Sequence, residues 1–523
     1  MDEANVEKTI ELAESITRKR GLIEGIRGDF DAVFIRDVDA RRLTKVAVDL
    51  QKSMEQSMKK ISEKNSEQLI IKLQKLMQAV MKRLQMEFYA ILCGSSSLDL
   101  EPDGGVVMAD LRSIADCTIA CGYGKECVSV YTSVRRSVVH EQLHDLRADR
   151  FPGANEMKKM EWKVVEEKVK RWIYLVQAAV NEVFRREKLL SRSVFPAEVA
   201  ELCFRETCGD AAADLLRFPA DFGNRARNMS PEKVFRTLDA YEALAALLPT
   251  IDSMFSGRTS AAIRSAAAEA AVNLRSAART MIGRFRAAIQ EDSSKPPANG
   301  GIHPLARYVM NFLLFLDDYG VLISDDVVRV LDPPRVFSGE DPPAIAWFVV
   351  ALICKLNGKA ATYDDVGLGY LFLANNLNYV VSKIRSSNLK LSVGSEWISG
   401  RESELSGSLS KYVESDWTRL ISPLDARDPT VEIPREEAGE IFRDFNSHFR
   451  ETYGKNRYRV IPDPELRTRV RDSLRAATVS PYAEFYDRCA VKYNRVFGSD
   501  PIALYTPEDL EYYVRDLFSD PSS

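Results

Sequence analysis

Apolar residues in this chain recur at steps of three and four, and almost nowhere at steps of two. From Leu69 they return at Leu73, Leu76, Val80, Leu84 and Phe88; from Trp162 they return at Val165, Val169, Trp172, Val176, Val180 and Val183. That spacing places each set on one face of a helix. The intervening Lys163, Glu166, Glu167, Lys168, Lys170 and Arg171 are charged and are expected to face water. Helix start signals agree. Ser230-Pro231-Glu232-Lys233 offers a hydroxyl at the N-cap and Pro in the first turn, where no N–H is missed. Thr506-Pro507-Glu508-Asp509 repeats the device, with carboxylates at the positive end of the helix. The nearest approach to a strand, Thr430 to Pro434, is short. The spacing therefore predicts an all-α chain.

Breaks rich in Gly, Pro, Ser or Asp interrupt the period at 94–105, 151–155, 293–301, 331–343 and 422–434. With 523 residues the chain is too long for one compact core. The breaks predict four helical bundles, at 1–152, 153–293, 300–428 and 429–523, the last with a basic face. No fixed-period repeat is present. Residues 259–280 are Ala-rich with Arg264, Arg275 and Arg279 interspersed, the mark of a helix with a small-residue contact face.

Composition narrows function. The net charge is −4, with 72 Lys and Arg against 76 Asp and Glu, which argues against a general nucleic-acid binder. The eight cysteines (93, 117, 121, 127, 203, 208, 354 and 489) form no paired framework, and most lie in apolar helical stretches. They read as buried thiols of a reducing compartment. Met1-Asp2-Glu3-Ala4 carries neither a basic n-region nor an apolar h-region, so no signal peptide is expected. The longest apolar run, Ala344 to Cys354, is too short at about 11 residues to span a bilayer and suits a buried helix. Membrane contact is therefore expected to be peripheral.

One catalytic pattern is present in form. His140-Glu141-Gln142-Leu143-His144 fits H-E-x-x-H, which on a helix sets two imidazoles on one face for zinc and leaves the Glu as general base. The following Asp145 to Arg150 lack the Gly and third His of the extended motif, and a third ligand would have to come from Glu182. The expected reading is two solvated histidines on a charged helix end, with no metal. Cys117, Cys121 and Cys127, at spacings of four and six, match no zinc ribbon. Gly122-Tyr123-Gly124 has no strand before it and is no dinucleotide loop. No P-loop and no G-x-S-x-G occurs. Neither a cofactor nor an enzymatic activity is expected.

The clearest charged feature lies near the C-terminus. Arg467, Arg471 and Arg475 recur at steps of four and share one helix face, with Lys455, Arg457 and Arg459 before them and Lys492 and Arg495 after. Either this face is solvated and paired with Glu465 and Asp472, or Arg467, Arg471, Arg475, Lys492 and Arg495 form a site for anionic lipid or an acidic partner.

These residues sit within a family signature. Leu111-Arg112-Ser113-Ile114-Ala115, Gly122-Tyr123-Gly124-Lys125-Glu126-Cys127 with Val130-Tyr131, and Lys159-Met160-Glu161-Trp162 resemble plant members of the seventy-kilodalton subunit family of the exocyst tethering complex. So do Ser230 to Leu244, Ile302 to Asn311, Asn375 to Val381, Gly394 to Ile398 and Tyr505 to Glu511. The matches run in order from about 105 to 520. The resemblance implies an elongated rod of stacked antiparallel helical bundles without enzymatic activity. It implies a cytoplasmic protein, peripheral at the plasma membrane or vesicles, that tethers secretory vesicles before fusion. Its partners would be other exocyst subunits, small GTPases and phosphoinositide membranes, the last through the C-terminal basic patch. Some plant members are linked to immunity.

Two departures from the family bear on that expectation. The usual K-Y-I-K-Y-T-P-E-D-L is replaced here by Pro501, Ile502, Ala503 and Leu504 before Tyr505, so both lysines are absent. Each basic residue near an anionic surface contributes about 1 kcal/mol, so the pair corresponds to roughly tenfold to a hundredfold in affinity. The region before Leu111 is also shorter than expected for plant relatives, and residues 1–92 carry no sustained heptad seam. An alternative function follows: a divergent adaptor or recognition protein in plant immunity, contacting immune or pathogen proteins, that keeps the rod and has weakened lipid or complex binding.

Overall fold

The computed structural model describes residues 3–18, 40–59, 66–94, 105–146, 151–319, 344–425, 433–496 and 503–518, and among them the secondary structure is helical, with no strand. The all-α expectation is met. The strand candidate Thr430 to Pro434 lies largely outside the described residues, and Ile433 and Pro434 are irregular. Packing divides the chain into two compact units. One comprises Met1–Met229 with Arg236–Ala278, the other Ser230–Phe235 with Arg279–Ser523. The composition breaks mark interruptions of the helical period, whereas these units are set by which side chains pack together.

The first unit begins with α1 (Glu3–Arg18), α2 (Ala40–Lys59), α3 (Ser66–Gly94), α4 (Gly105–Ala120) and α5 (Gly124–Asp145). The stripe on α3 faces inward as its spacing predicts: Leu73, Val80, Leu84 and Phe88 are buried beside Leu43, Leu50, Leu111, Ile114 and Tyr131. A short α6 (Ala154–Lys159) leads to α7 (Trp162–Ala178), whose Val165, Val169, Trp172 and Val176 are buried. Trp172 places its Nε1–H on the Leu215 carbonyl at 2.8 Å, satisfying the indole in the core. Past Ala178 the helix widens into a π segment (Ala179–Phe184) before α8 (Arg185–Val194), keeping Val180 and Val183 buried. Then come α9 (Ala197–Ala226), α10 (Val234–Met254) and α11 (Ala261–Glu291), of which Val234, Phe235 and the part of α11 from Arg279 belong to the second unit. α9 and α11 approach closely at Gly223. A Cβ on Gly223 of α9 would stand 3.0 Å from the Asn273 backbone.

Among the described residues of this unit, the buried charges Arg135, Glu187 and Lys188 are all paired. Glu187 accepts from the Tyr131 hydroxyl at 2.8 Å and from Arg135 Nε and Nη2 at 3.0 and 2.9 Å, and all three side chains are fully buried. Burial pushes the Tyr131 hydroxyl up, and the Glu187 carboxylate adds to it. Lys188 donates to Glu201 and to the Met254 carbonyl, at 2.5 and 2.6 Å, tying α8 to α9 and α10.

The second unit contains α12 (Pro304–Asp317), α13 (Ala344–Ala360), α14 (Val366–Arg385), α15 (Leu389–Val393), α16 (Ser395–Asp416) and α17 (Thr418–Asp425). The apolar run from Ala344 forms α13, and Ile345, Phe348, Val349, Leu352 and Ile353 are buried. Among the described residues, no helix is long and apolar enough to cross a membrane. The segment 293–301 is irregular but firmly held. Lys359 pairs with Asp292 at 2.7 Å, and Tyr363 donates to the Pro297 carbonyl at 2.5 Å. Asn375 bridges the Gly300 and Val460 carbonyls at 2.8 and 2.9 Å. Asn376 accepts from His303 N at 2.9 Å. Gly300 supplies the left-handed turn, at φ +73.

A second buried hub forms on Arg459. Its guanidinium pairs with Asp365 at 2.5 Å and Asp416 at 2.6 Å, and Asp416 also accepts from Asn456. Asp365 doubles as N-cap of α14, accepting from Leu368 N at 3.0 Å. Gly367 makes room, since a Cβ there would stand 2.4 Å from Asp416 Oδ1.

The cysteine expectation needs correcting. All eight are free thiols, and Cys117, Cys127, Cys203, Cys208 and Cys489 are buried, but Cys121 is half-buried and Cys93 and Cys354 are exposed. Apolar neighbours in sequence do not decide burial on a helix. The face does, and Cys93 and Cys354 fall on outward faces.

Candidate interaction surface of the C-terminal helices

Arg467 and Arg471 lie on α19 (Pro464–Leu474), with Arg475 directly after its end; α18 (Arg435–Asn456) precedes it. Asp463 caps α19, accepting from Leu466 N at 2.7 Å, and Pro464 opens it. Beyond Leu474 the chain takes a π turn (Arg475–Val479), then α20 (Ser480–Val496) and α21 (Pro507–Asp516). Thr506 and Asp509 form a reciprocal capping box at the start of α21, as the sequence signal predicts. At Ser230 the same signal gives only a short 3-10 turn with no side-chain cap.

Leu466, Val470 and Leu474 of α19 are buried, while Phe442, Phe445 and Phe449 of α18 pack on Tyr482, Phe485, Tyr505 and Tyr513. Beside the buried row, Arg471 and Arg475 turn toward α21 and the residue after it, while Arg467 turns back toward the segment before α19. Arg467 Nε donates to the Ile461 carbonyl at 3.0 Å. Arg471 donates twice to the Leu517 carbonyl, at 3.1 and 2.6 Å. Arg475 Nε donates to both carboxylate oxygens of Glu511 at 2.9 Å, and its Nη1 to Asp472 at 2.8 Å.

The electrostatics follow from these contacts. Burial, with Arg467 and Arg515 nearby, holds Arg471 below the usual guanidinium range, against the pull of Asp516. Hydrogen bonding to Glu511 raises Arg475, and the same bond lowers the Glu511 carboxyl. Each of the three arginines is partly spent within the chain: Arg467 on the Ile461 carbonyl, Arg471 on Leu517 and Arg475 on Glu511. Lys492 and Arg495 fall on α20, but their side chains, like Pro501 and Ile502, lie outside the described residues. Ala503 is buried and Leu504 is 53% exposed. Two exposed cations were not singled out from sequence: Arg469 on α19, and Arg515 beside Arg471 and Glu511. Arg515 is legible as a basic residue in the last turn of a helix, but its nearness to Arg471 depends on the fold.

The H-E-x-x-H residues sit elsewhere, in the first unit. His140, Glu141 and His144 are all exposed at the end of α5 and, with Asp214, Arg217 and an apolar floor of Phe151, Leu175, Leu215 and Phe218, line a cavity of 480 Å³. Among the described residues, no three His, Cys, Asp or Glu side chains are grouped to hold a metal ion, and this covers Glu182 and the Cys117, Cys121 and Cys127 set. A larger cavity, 820 Å³, lies against the held segment, lined by Asp292, Lys295, Lys355, Lys359 and Tyr363. Its donors are largely spent on the chain itself: Lys355 on the Gln290 carbonyl, Lys359 on Asp292 and Tyr363 on Pro297.

Helices throughout the described residues, with Arg471 and Arg475 bonded to Leu517 and Glu511 near the C-terminus, define the class as an all-helical scaffold. Comparison with known proteins makes the family specific. Residues 170–516 match the family model for the C-terminal region of the Exo70 exocyst complex subunit, and residues 4–93 match the model for the N-terminal region of exocyst complex component Exo70. Among curated proteins, exocyst complex component EXO70B2 of Arabidopsis thaliana is 31% identical over 428 residues, covering 80% of this chain and 69% of that protein. EXO70A1 of the same plant is 26% identical over 432 residues, covering 80% and 67%. The chain belongs to the Exo70 family of exocyst subunits. Two solved structures of Saccharomyces cerevisiae Exo70 share the fold, with TM-scores of 0.62 and 0.63 at 14% and 15% identity; they cover 97% and 98% of this chain and 96% and 100% of theirs.

Proposed function

We propose that this chain is a non-catalytic member of the exocyst that takes part in tethering secretory vesicles to the plasma membrane, acting in the cytoplasm as a peripheral membrane protein. The observation that carries the reading is the match of both an N-terminal and a C-terminal Exo70 family model in order along one chain. Other exocyst subunits are its proposed partners, with small GTPases as regulators. The test is affinity purification of the tagged full chain from plant cells. Co-purification of several other exocyst subunits is expected, and their absence from a preparation that retains folded chain would overturn the reading.

The C-terminal face is the proposed membrane contact, through Arg467, Arg471, Arg475, Lys492 and Arg495 toward phosphoinositide headgroups. Guanidinium groups donate several hydrogen bonds to phosphate oxygens and stay charged at neutral pH. Internal engagement of Arg471 and Arg475, together with the exposed Leu504, supports weak binding there. The same observation favours a second reading, a recognition protein in plant immunity that contacts immune or pathogen proteins and depends less on lipid.

A further inference from the structure

We propose that Cys117 and Cys121 are a peroxide-sensitive thiol pair that closes into a reversible disulfide across the last turn of α4. Both lie on one helix face. Their backbones are joined by the Cys121 N–H to Cys117 carbonyl bond at 3.0 Å, which sets the two side chains one helical turn apart. Both thiols point at α2. Cys117 Sγ meets the Thr44 carbonyl at 3.7 Å, and Cys121 Sγ meets Gln51 Oε1 at 3.0 Å. Cys117 is buried and Cys121 half-buried, so an oxidant reaches Cys121 first and finds a protected second thiol behind it. The chemistry suits that order. The Cys117 thiol holds Cys121 below the ordinary thiol range, against burial, while Cys117 itself is raised, chiefly by the Cys121 thiol.

The steps balance with a hydroperoxide as oxidant. Cys121 loses its proton to water, and the thiolate attacks one peroxide oxygen. The O–O bond breaks, and the departing hydroxide takes up a proton as water. Cys117 then attacks the Cys121 sulfur of the sulfenic acid, the S–O bond breaks, and a second water leaves with the Cys117 proton. The two sulfurs give up two electrons, and hydrogen peroxide becomes two waters.

Geometry makes the bond labile. Helical residues four apart hold their Cβ atoms about 5–6 Å apart, whereas a disulfide needs roughly 3.5–4.5 Å. Closure must therefore break the Cys121 N–H bond and draw in the turn. The turn is suited to this, because α4 ends at Ala120 and Gly122 already stands at φ +85. A strained disulfide of this kind is readily reduced by the glutathione pool. Closure also removes the thiol that Gln51 accepts from, loosening the contact between α2 and α4.

One tryptic peptide, Ser113 to Lys125, carries both cysteines. The experiment treats the folded full chain with hydrogen peroxide, blocks remaining thiols, and weighs this peptide. The expected result is loss of two hydrogens, reversed by glutathione, with faster amide exchange over 117–123. In a Cys117→Ser variant with native circular dichroism, Cys121 should be trapped by dimedone as sulfenic acid, with no disulfide. In a Cys121→Ser variant, Cys117 should stay reduced. The proposal is overturned if the peptide stays reduced while exposed Cys93 and Cys354 are oxidised. It is equally overturned if the peptide gains oxygen without losing two hydrogens.

Discussion

His303 shows how much one buried side chain can be asked to hold. It is fully buried at the N-cap of α12, where Nδ1 accepts from Leu305 N at 3.0 Å and the backbone N–H donates to Asn376. The groups facing it are Lys359, Asp292 and Ser294, with the Phe372 ring edge-on. Burial, then the Lys359 charge, holds its imidazole below the usual range, against the pull of Asp292. The sign of the linkage follows. The unfolded chain takes up a proton near pH 6.5, before the folded chain does, so below that pH the unfolded state binds more protons and stability falls. Chemical denaturation at pH 7.5 and pH 5.5 should show the loss. A His303→Asn variant, which keeps a cap acceptor but cannot titrate, should lose less over that interval. Equal losses in both proteins would place the pH dependence elsewhere.

Among the elements, the long helices were legible because period and burial coincide. The stripes on α3 and α7 are buried as their spacing requires, and Thr506 caps α21 as its motif requires. The π segments were not legible, since a one-residue widening leaves the apolar period nearly unchanged. Nor were the partners of the arginine stripe. Arg471 and Arg475 meet Leu517 and Glu511, which lie 46 and 36 residues further along. Local spacing gives a face and says nothing of what folds back onto it. The Arg475–Glu511 pair is about two-fifths exposed, so its worth is modest, on the order of 1 kcal/mol or less. Its effect should instead be local. Arg475→Glu should speed amide exchange across 507–516, and the double exchange Arg475→Glu with Glu511→Arg should restore it. Gly367 carries a sharper constraint: Gly367→Ala drives a methyl into Asp416 and should cost about 1–3 kcal/mol in urea melts.

For the whole molecule, a net charge of −4 opposes approach to an anionic bilayer, so any membrane binding must come from a local patch. Exposed charges are screened beyond about 8 Å at physiological ionic strength. Co-sedimentation with vesicles containing phosphatidylinositol bisphosphate should therefore be weak and should fall steeply with salt. Substituting Pro501→Lys with Leu504→Lys should strengthen it. Arg467→Glu, Arg471→Glu and Arg475→Glu together should remove it, with circular dichroism confirming that the helices remain. Tight, salt-insensitive binding by the unaltered chain would show that the contact is made elsewhere.

The segment 293–301 has the composition of a spacer, and a designer reading Ser-Ser-Lys-Pro-Pro-Ala-Asn-Gly-Gly would choose it to carry a fluorescent tag or a cleavage site. Its carbonyls at Ser294, Pro297, Asn299, Gly300 and Gly301 are already taken by Lys359, Tyr363, the Val460 N–H, Asn375 and Asn376. A guest domain inserted there would unfasten α13, α14 and the Arg459 segment at one stroke. A protease would also find no slack loop to draw into its cleft.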